Sequence, residues 1–174
     1  LDQQGVTLEL IVADDGSCDG SLDWLQDMAA RETRLRLLQL DGVGASAARN
    51  RALQMARGAL VAFLDADDAW RPGKLAAQLA FHHRHPEAVL SFTDYLHVDP
   101  DGGTHGSCFA FWPRAGRRLR GTTGFRLLDD GFALVLAENP VGTSTVMARR
   151  GALLAVAGFD TSLPSAADWD LWLR

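Results

Sequence analysis

Residues 58 to 70, Gly-Ala-Leu-Val-Ala-Phe-Leu-Asp-Ala-Asp-Asp-Ala-Trp, restrict the folds open to this chain more than any other stretch. The unbroken apolar run 60–64 has the length of a strand buried on both faces, as in a parallel α/β sheet. Three carboxylates follow at once: Asp65, Asp67 and Asp68. They fall at the carboxyl end of the strand, where open α/β sheets bind their ligands. Like charges this close repel, so a positive group is expected among them. Asp65 and Asp67, two apart on an extended chain, point the same way and can reach one hard cation. The plain alternative is a solvated acidic turn.

The flanking sequence keeps the same rhythm. An apolar stretch at 8–13 reads as a strand, closed by Asp14-Asp15-Gly16-Ser17. Gly16 permits a tight turn, and Asp19 or Ser21 can cap a helix over 22–30. A strand at 34–40 then leads through Gly42-Val-Gly-Ala-Ser-Ala into a helix reaching Arg57. After the acidic strand, Pro72 suits the first position of a helix that runs to His85. A strand follows at 88–92. Strand and helix in alternation are the signature of a doubly wound parallel sheet with helices on both faces.

Past Thr93 the alternation stops. Residues 94–124 read as irregular, with a hairpin pairing 95–98 with 108–111 around Pro100-Asp-Gly-Gly. A helix is expected over 125–136, a strand over 144–148, a short helix over 151–157 ending at Gly158, and a last helix from Asp168 to Arg174. At 174 residues the chain is read as a single domain with a real core. It opens on Leu1 rather than Met and stops inside an expected helix, which reads as a piece of a longer protein.

Charge narrows the partners. The net charge of −5 gives no basic surplus for nucleic acid. Eighteen of the 22 acids are Asp, a residue favoured in turns, caps and metal sites, so the bias points to the loops at strand ends. The two cysteines, Cys18 and Cys108, are far apart and read as free thiols of a reducing compartment. No apolar run approaches the ~20 residues of a membrane span, and the opening residues do not read as a signal peptide.

Three acidic stretches are candidates for chemistry. Asp14 and Asp15 can accept from the N–H of a nucleotide base, or simply close an Asx turn. Asp65 and Asp67 suit Mg²⁺ or Mn²⁺, which take their remaining ligands from phosphates and water. Asp168 and Asp170, about 200° apart on a helix, cannot share a face, so one can serve chemistry while the other caps or faces solvent. Two rivals compete with this reading. The run from Gly42 to Ala47 matches a dinucleotide fingerprint, with Asp65 ~20 residues on, which would make the chain an NAD-binding domain. That run follows a complete earlier strand–helix unit, however, and NAD leaves Asp67 and Asp68 without a role. A phosphatase with Asp65 as nucleophile would want a Thr soon after, where Ala69-Trp70 stands. His82, His83 and His85 read as a solvated helix end rather than a metal cluster. The arginines at 114, 117, 118 and 120 read as a solvated loop, with a site for an anionic acceptor as the sharper alternative.

Taken in order, four stretches resemble the family 2 glycosyltransferases of GT-A fold: residues 9–17, 44–50, 58–70 and 168–174. The resemblance implies a GT-A, Rossmann-like α/β domain over 1–174. Residues 1–92 would bind the nucleotide-sugar, and 93–174 would form an irregular acceptor side. It implies that Asp15, with Asp14, holds the base. Asp65 would lie against the ribose and metal waters, and Asp67 would coordinate Mg²⁺ or Mn²⁺ on the diphosphate. Arg49 and Asn50 would brace the donor site. Asp168 would be the general base of an inverting displacement, with Trp169 and Asp170 near the acceptor. The implied donor is a nucleotide-diphospho-sugar, UDP favoured, and the acceptor a saccharide, lipid-linked or protein hydroxyl. A noncatalytic binding domain of the same fold is the alternative. The implied location is cytoplasmic, with membrane attachment only through segments outside this chain. Two departures stand out: Ala167 replaces the family's usual Glu before the base, and the family's first strand is missing before Leu1.

Overall fold

The structure, a computed structural model, describes residues 2–121 and 123–174. The expected irregular stretch 94–124 includes Thr122, which lies outside the described residues. Strand β1 (Leu10–Asp14), helix α1 (Ser21–Arg31) and strand β2 (Leu35–Gln39) form a parallel crossover unit. Leu10 pairs with Leu35 and Asp14 with Gln39, so Asp14 ends the ladder at its carboxyl edge. Asp19 accepts from the Ser21 N–H and turns the chain into α1. Helix α2 (Ala45–Met55) follows and packs against β1.

Strand β3 (Leu60–Ala62) is shorter than the apolar run predicts, and all three of its residues are only half-buried. Phe63 leaves the ladder to enter the core, so the expected strand buried on both faces is not what forms. Helix α3 (Lys74–Arg84) starts two residues later than expected, because Gly73 at φ 80° turns the chain before the helix begins. Strand β4 (Leu90–Ser91) is likewise brief.

Strand β7 (Met147–Arg149) lies between β3 and β4 and runs antiparallel to both, which leaves β3 and β4 parallel to each other. The strand expected over 144–148 therefore starts later. Residues 143–145 form a 3-10 turn instead. Helix α7 (Arg150–Ala155) and helix α8 (Ala167–Leu173) complete this unit.

Between β4 and β7 the hairpin exists with a different partner. Strand β5 (Leu96–Val98) pairs with β6 (Thr104–Ser107), not with 108–111. Ser107 accepts from the Ala110 N–H and starts a one-turn helix, α4 (Cys108–Phe111), where the second strand was expected. Pro113 opens α5 (Pro113–Leu119), a use of proline that fits its missing N–H. The helix expected over 125–136 is confined to α6 (Gly131–Ala137).

The main core gathers Leu53, Phe63, Val146, Phe159 and Leu171 from five elements and loops. Phe63 meets Phe159 edge-on at 5.3 Å between ring centroids, and Trp172 lies 6.1 Å from each. A smaller core of Ala115, Leu119 and Leu134 joins α5 to α6. Cys18 is exposed and Cys108 buried, and both are free. His82 corrects the reading of a solvated helix end. It is 2% exposed, and its Nε2 lies 3.0 Å from the Ser91 hydroxyl and 3.2 Å from the Met147 carbonyl. Burial lowers its pKa. His83 is exposed, and His85 contacts Glu87, so no metal cluster forms there among the described residues.

Candidate functional site

The candidate site is assembled on the turn 142–145. Val141 and Thr145 are buried at its two ends. The Thr145 N–H and hydroxyl both donate to the Gly142 carbonyl, at 2.9 and 2.6 Å. A side chain at 142 would press on the Tyr95 ring, which an added Cβ would meet at 3.0 Å. So fixed, the turn serves three neighbours. The Ser144 hydroxyl accepts from the Asp65 N–H at 2.9 Å, and its carbonyl accepts from Trp70 Nε1 at 2.7 Å. The Thr145 carbonyl accepts from Gln78 Nε2 at 3.0 Å. The Thr143 hydroxyl lies 3.4 Å from the Asp168 carboxylate, as a long donor. One short turn thus touches both the acidic loop after β3 and the start of α8.

In the acidic loop the expected positive group is Arg49. Its guanidinium reaches Asp65 Oδ1 at 2.5 Å and lies over the Phe159 ring, 5.5 Å from the centroid. The Asp68 N–H donates to the Asp65 carbonyl, which bends the loop. Asp67 is exposed and has no hydrogen-bond or ion-pair partner among the described residues. Lys74 lies 4.5 Å over the Trp70 ring and donates to Gln78 Oε1 at 2.6 Å. Burial lowers its pKa to about 8.

Asp14 and Asp15 do structural work where they stand. Asp14 is buried and accepts from the Ser17 N–H at 3.2 Å, an Asx turn. The Asp15 carboxylate reaches across to the next crossover and takes the Val43 and Gly44 N–H groups at 2.8 and 2.7 Å. These are backbone donors of the kind that a dinucleotide site would present to a pyrophosphate. Here they are committed to Asp15, which removes the main support for the NAD reading.

Asn50 binds both backbone groups of one distant residue. Its Nδ2 donates to the Phe159 carbonyl at 2.7 Å, and its Oδ1 accepts from the Phe159 N–H at 2.8 Å. Asp168 and Asp170 reach different partners, as their helical spacing requires: Thr143 for the first and Arg174 for the second. Trp169 is anchored through Nε1 to the Val135 carbonyl at 2.7 Å, and Trp172 belongs to the aromatic core.

For a divalent cation the donor set is lean. Among the described residues no three His, Cys, Asp or Glu side chains converge on one point. An uncommitted carboxylate at Asp67, two residues from Asp65, suits an ion that takes most of its ligands from phosphate oxygens and water. It does not suit an all-protein cage.

Comparison with known proteins decides the family. The sequence profile of "Glycosyl transferase family 2" matches residues 1–137. The chain belongs to this family. Asp168 lies outside the matched span. A Bacillus subtilis protein named as a teichuronic acid biosynthesis glycosyltransferase is 42% identical over 103 residues, 59% of this chain and 40% of that protein. An uncharacterized protein of Mycobacterium tuberculosis is 32% identical over 185 residues, spanning 100% of this chain and 54% of its own length. The chain thus spans about half the length of these family relatives. Staphylococcus aureus TarS, solved with UDP, superposes with a TM-score of 0.70 at 23% identity over 98% of this chain and 46% of TarS. The fold is GT-A. No helix among the described residues is long and apolar enough to cross a membrane.

Reading the sequence missed the turn 142–145. The signal was present as Pro140-Val-Gly-Thr-Ser-Thr, three hydroxyl residues after a Pro and a Gly. Such a run favours side-chain-to-backbone bonding over a strand. The buried Gln78, which ties α3 to Ser91 and to this turn, was missed too, because it reads as one polar residue on an amphipathic helix.

Proposed function

We propose that the protein transfers a sugar from a nucleotide-diphospho-sugar, UDP favoured, to an acceptor hydroxyl with inversion, with Asp168 as general base. The observation that carries the reading is the shared turn: Ser144 engages the Asp65–Trp70 loop while Thr143 lies beside Asp168. A donor seated at the acidic loop and a base on α8 would then face one another across that turn.

The chain's residues divide the work. Asp168 takes the proton from the acceptor hydroxyl as its oxygen bonds to the anomeric carbon. The bond from that carbon to the diphosphate oxygen breaks, and the electron pair leaves with the nucleoside diphosphate. General-base help of this kind is worth ~10²–10⁴-fold. The long contact from Thr143 to Oδ2 leaves Oδ1 available. Asp67, with Asp65, would hold Mg²⁺ or Mn²⁺. Such an ion, when bound, neutralises charge on the departing diphosphate. Arg49 holds Asp65 in place, and Asn50 fixes the helix that carries Arg49. Asp14 and Asp15 shape the loop ends against which a nucleotide base would lie. The saccharide, lipid-linked or protein nature of the acceptor belongs to this proposal, as does a cytoplasmic setting with any membrane attachment supplied by other segments.

The test is Asp168→Asn in the intact protein. Product formation from a UDP-sugar should fall at least ~10²-fold while UDP binding with Mn²⁺ is retained. Unchanged product formation removes Asp168 from the mechanism. A wild-type protein that binds the donor and turns nothing over is the noncatalytic binding domain instead.

A further inference from the structure

Away from the acidic loop, the chain carries a concentration of positive charge that the transferase reading does not use. Arg114, Arg117 and Arg118 come from α5, and Arg126 comes from the segment before α6. They converge on two adjoining hollows of about 360 and 220 Å³ that share Arg117 and Arg118. The larger hollow falls within the ~300–1,000 Å³ of small-molecule sites. In a chain of net charge −5, one acid lines each hollow: Asp129 the larger and Asp130 the smaller. Asp130 is already neutralised by an ion pair with Arg118. Arg114, Arg117 and Arg126 have no ion-pair partner among the described residues, and their side chains are exposed.

A run of arginines on one helix is usually a solvated face. Two features set this one apart. The arginines come from two separate segments: Arg117 and Arg118 line both hollows, with Arg126 on the larger and Arg114 on the smaller. The walls are also built: the buried Glu138 carboxylate accepts from the Arg114 and Ala115 N–H groups and pins the start of α5, and the Arg118–Asp130 pair pins the segment entering α6. Planar guanidinium groups match the oxygens of phosphate two at a time, which an ammonium cannot do. Helix α6 stands between this cleft and the candidate site, since Ala133 and Leu134 line the cleft while the Val135 carbonyl receives Trp169 of α8.

We propose that the cleft between α5 and α6 is a second anion site, which binds phosphate-class groups of a ligand other than the nucleotide donor. It goes beyond the transferase reading and stands without it.

The test measures binding of inorganic tripolyphosphate to the intact protein by calorimetry, in EDTA at low salt, with and without UDP. The expected result is saturable binding that weakens as salt rises and that UDP does not displace. Arg117→Gln with Arg126→Gln should weaken it at least 10-fold. Arg31→Gln with Arg51→Gln, which removes equal charge from exposed arginines elsewhere, should change it less than 2-fold. Equal loss in both pairs, displacement by UDP, or no binding of tripolyphosphate overturns the proposal. So does arginine-dependent binding to phosphatidylglycerol vesicles without any binding of tripolyphosphate, which would make this face a membrane contact. None of these results bears on Asp168, so the two readings fail separately.

Discussion

Asn50→Ala offers a direct test of how the site is held together. Asn50 satisfies both backbone groups of Phe159 at 2.7 and 2.8 Å, across 109 residues of sequence. Truncation removes two hydrogen bonds, each worth about 1 kcal/mol net, and strands an N–H and a carbonyl beside a buried side chain for about 1 kcal/mol more. The expected loss is therefore about 3 kcal/mol, or about 6–12 °C in Tm for a chain of this size. Urea unfolding should show a lower midpoint with an unchanged slope. Gly158→Ala should act on the same tether, because Gly158 sits at φ 70° and an added Cβ would come within 2.3 Å of Asn50 Oδ1. Combined with Asn50→Ala, it should cost much less than the sum of the two, since the clash disappears with the amide. An Asn50→Ala variant within 0.5 kcal/mol of wild type would refute the claim that this amide holds α2 to the loop after α7.

Two further variants probe other contacts of the fold. Glu138→Ala should cost about 2 kcal/mol and loosen α5, since three N–H contacts to a buried carboxylate are lost; Tm together with amide exchange over 113–119 reads both effects. Lys74 gives a pH signature: its pKa falls from 10.5 to about 8 on burial, so the unfolded chain binds more protons than the folded one between those values. Stability credited to Lys74 must then rise with pH from about 8 to 10.5, by about 1–2 kcal/mol once residual solvation and the Gln78 and Trp70 contacts are allowed for. Cys108 is pushed the other way by burial, so the measured quantity is wild type minus Lys74→Met; a flat difference across that window would refute the assignment.

The parts of the fold that local pattern could carry were legible. β1, α1, β2 and α2 lie within a residue or two of their expected positions, because each pairs a clear apolar period with a turn signal at its end. A positive group beside the acidic run Asp65, Asp67 and Asp68 was expected from charge alone, and Arg49 supplies one to Asp65 only. What local pattern could not show was the place of β7. A three-residue strand has no period to read, and its antiparallel insertion between β3 and β4 depends on contacts some 60 to 90 residues apart. His82 looked like one of several solvated histidines, yet Ser91 and Met147 enclose it from other elements. Asp15 shows the same limit on the functional side. Its carboxylate suits a base N–H and a backbone N–H equally well, and only the fold reveals that Val43 and Gly44 lie within its reach.

The turn 142–145 makes the two ends of the candidate site separable by experiment. Ser144 and Thr143 are adjacent, but one serves Asp65 and the other lies by Asp168. Ser144→Ala takes the acceptor from the Asp65 N–H and keeps the carbonyl that receives Trp70, so it should cost only about 1 kcal/mol of stability. Its larger effect should fall on the acidic loop, as a several-fold weaker affinity for UDP with Mn²⁺. Thr143→Val keeps the shape of the side chain and removes the hydroxyl near Asp168. If that hydroxyl orients the base, UDP binding should be unchanged while kcat falls several-fold. A Thr143→Val protein that loses donor affinity and keeps kcat, or a Ser144→Ala protein that does the reverse, would mean that the turn does not divide the donor from the base, and the division of labour between the two loops would have to be redrawn.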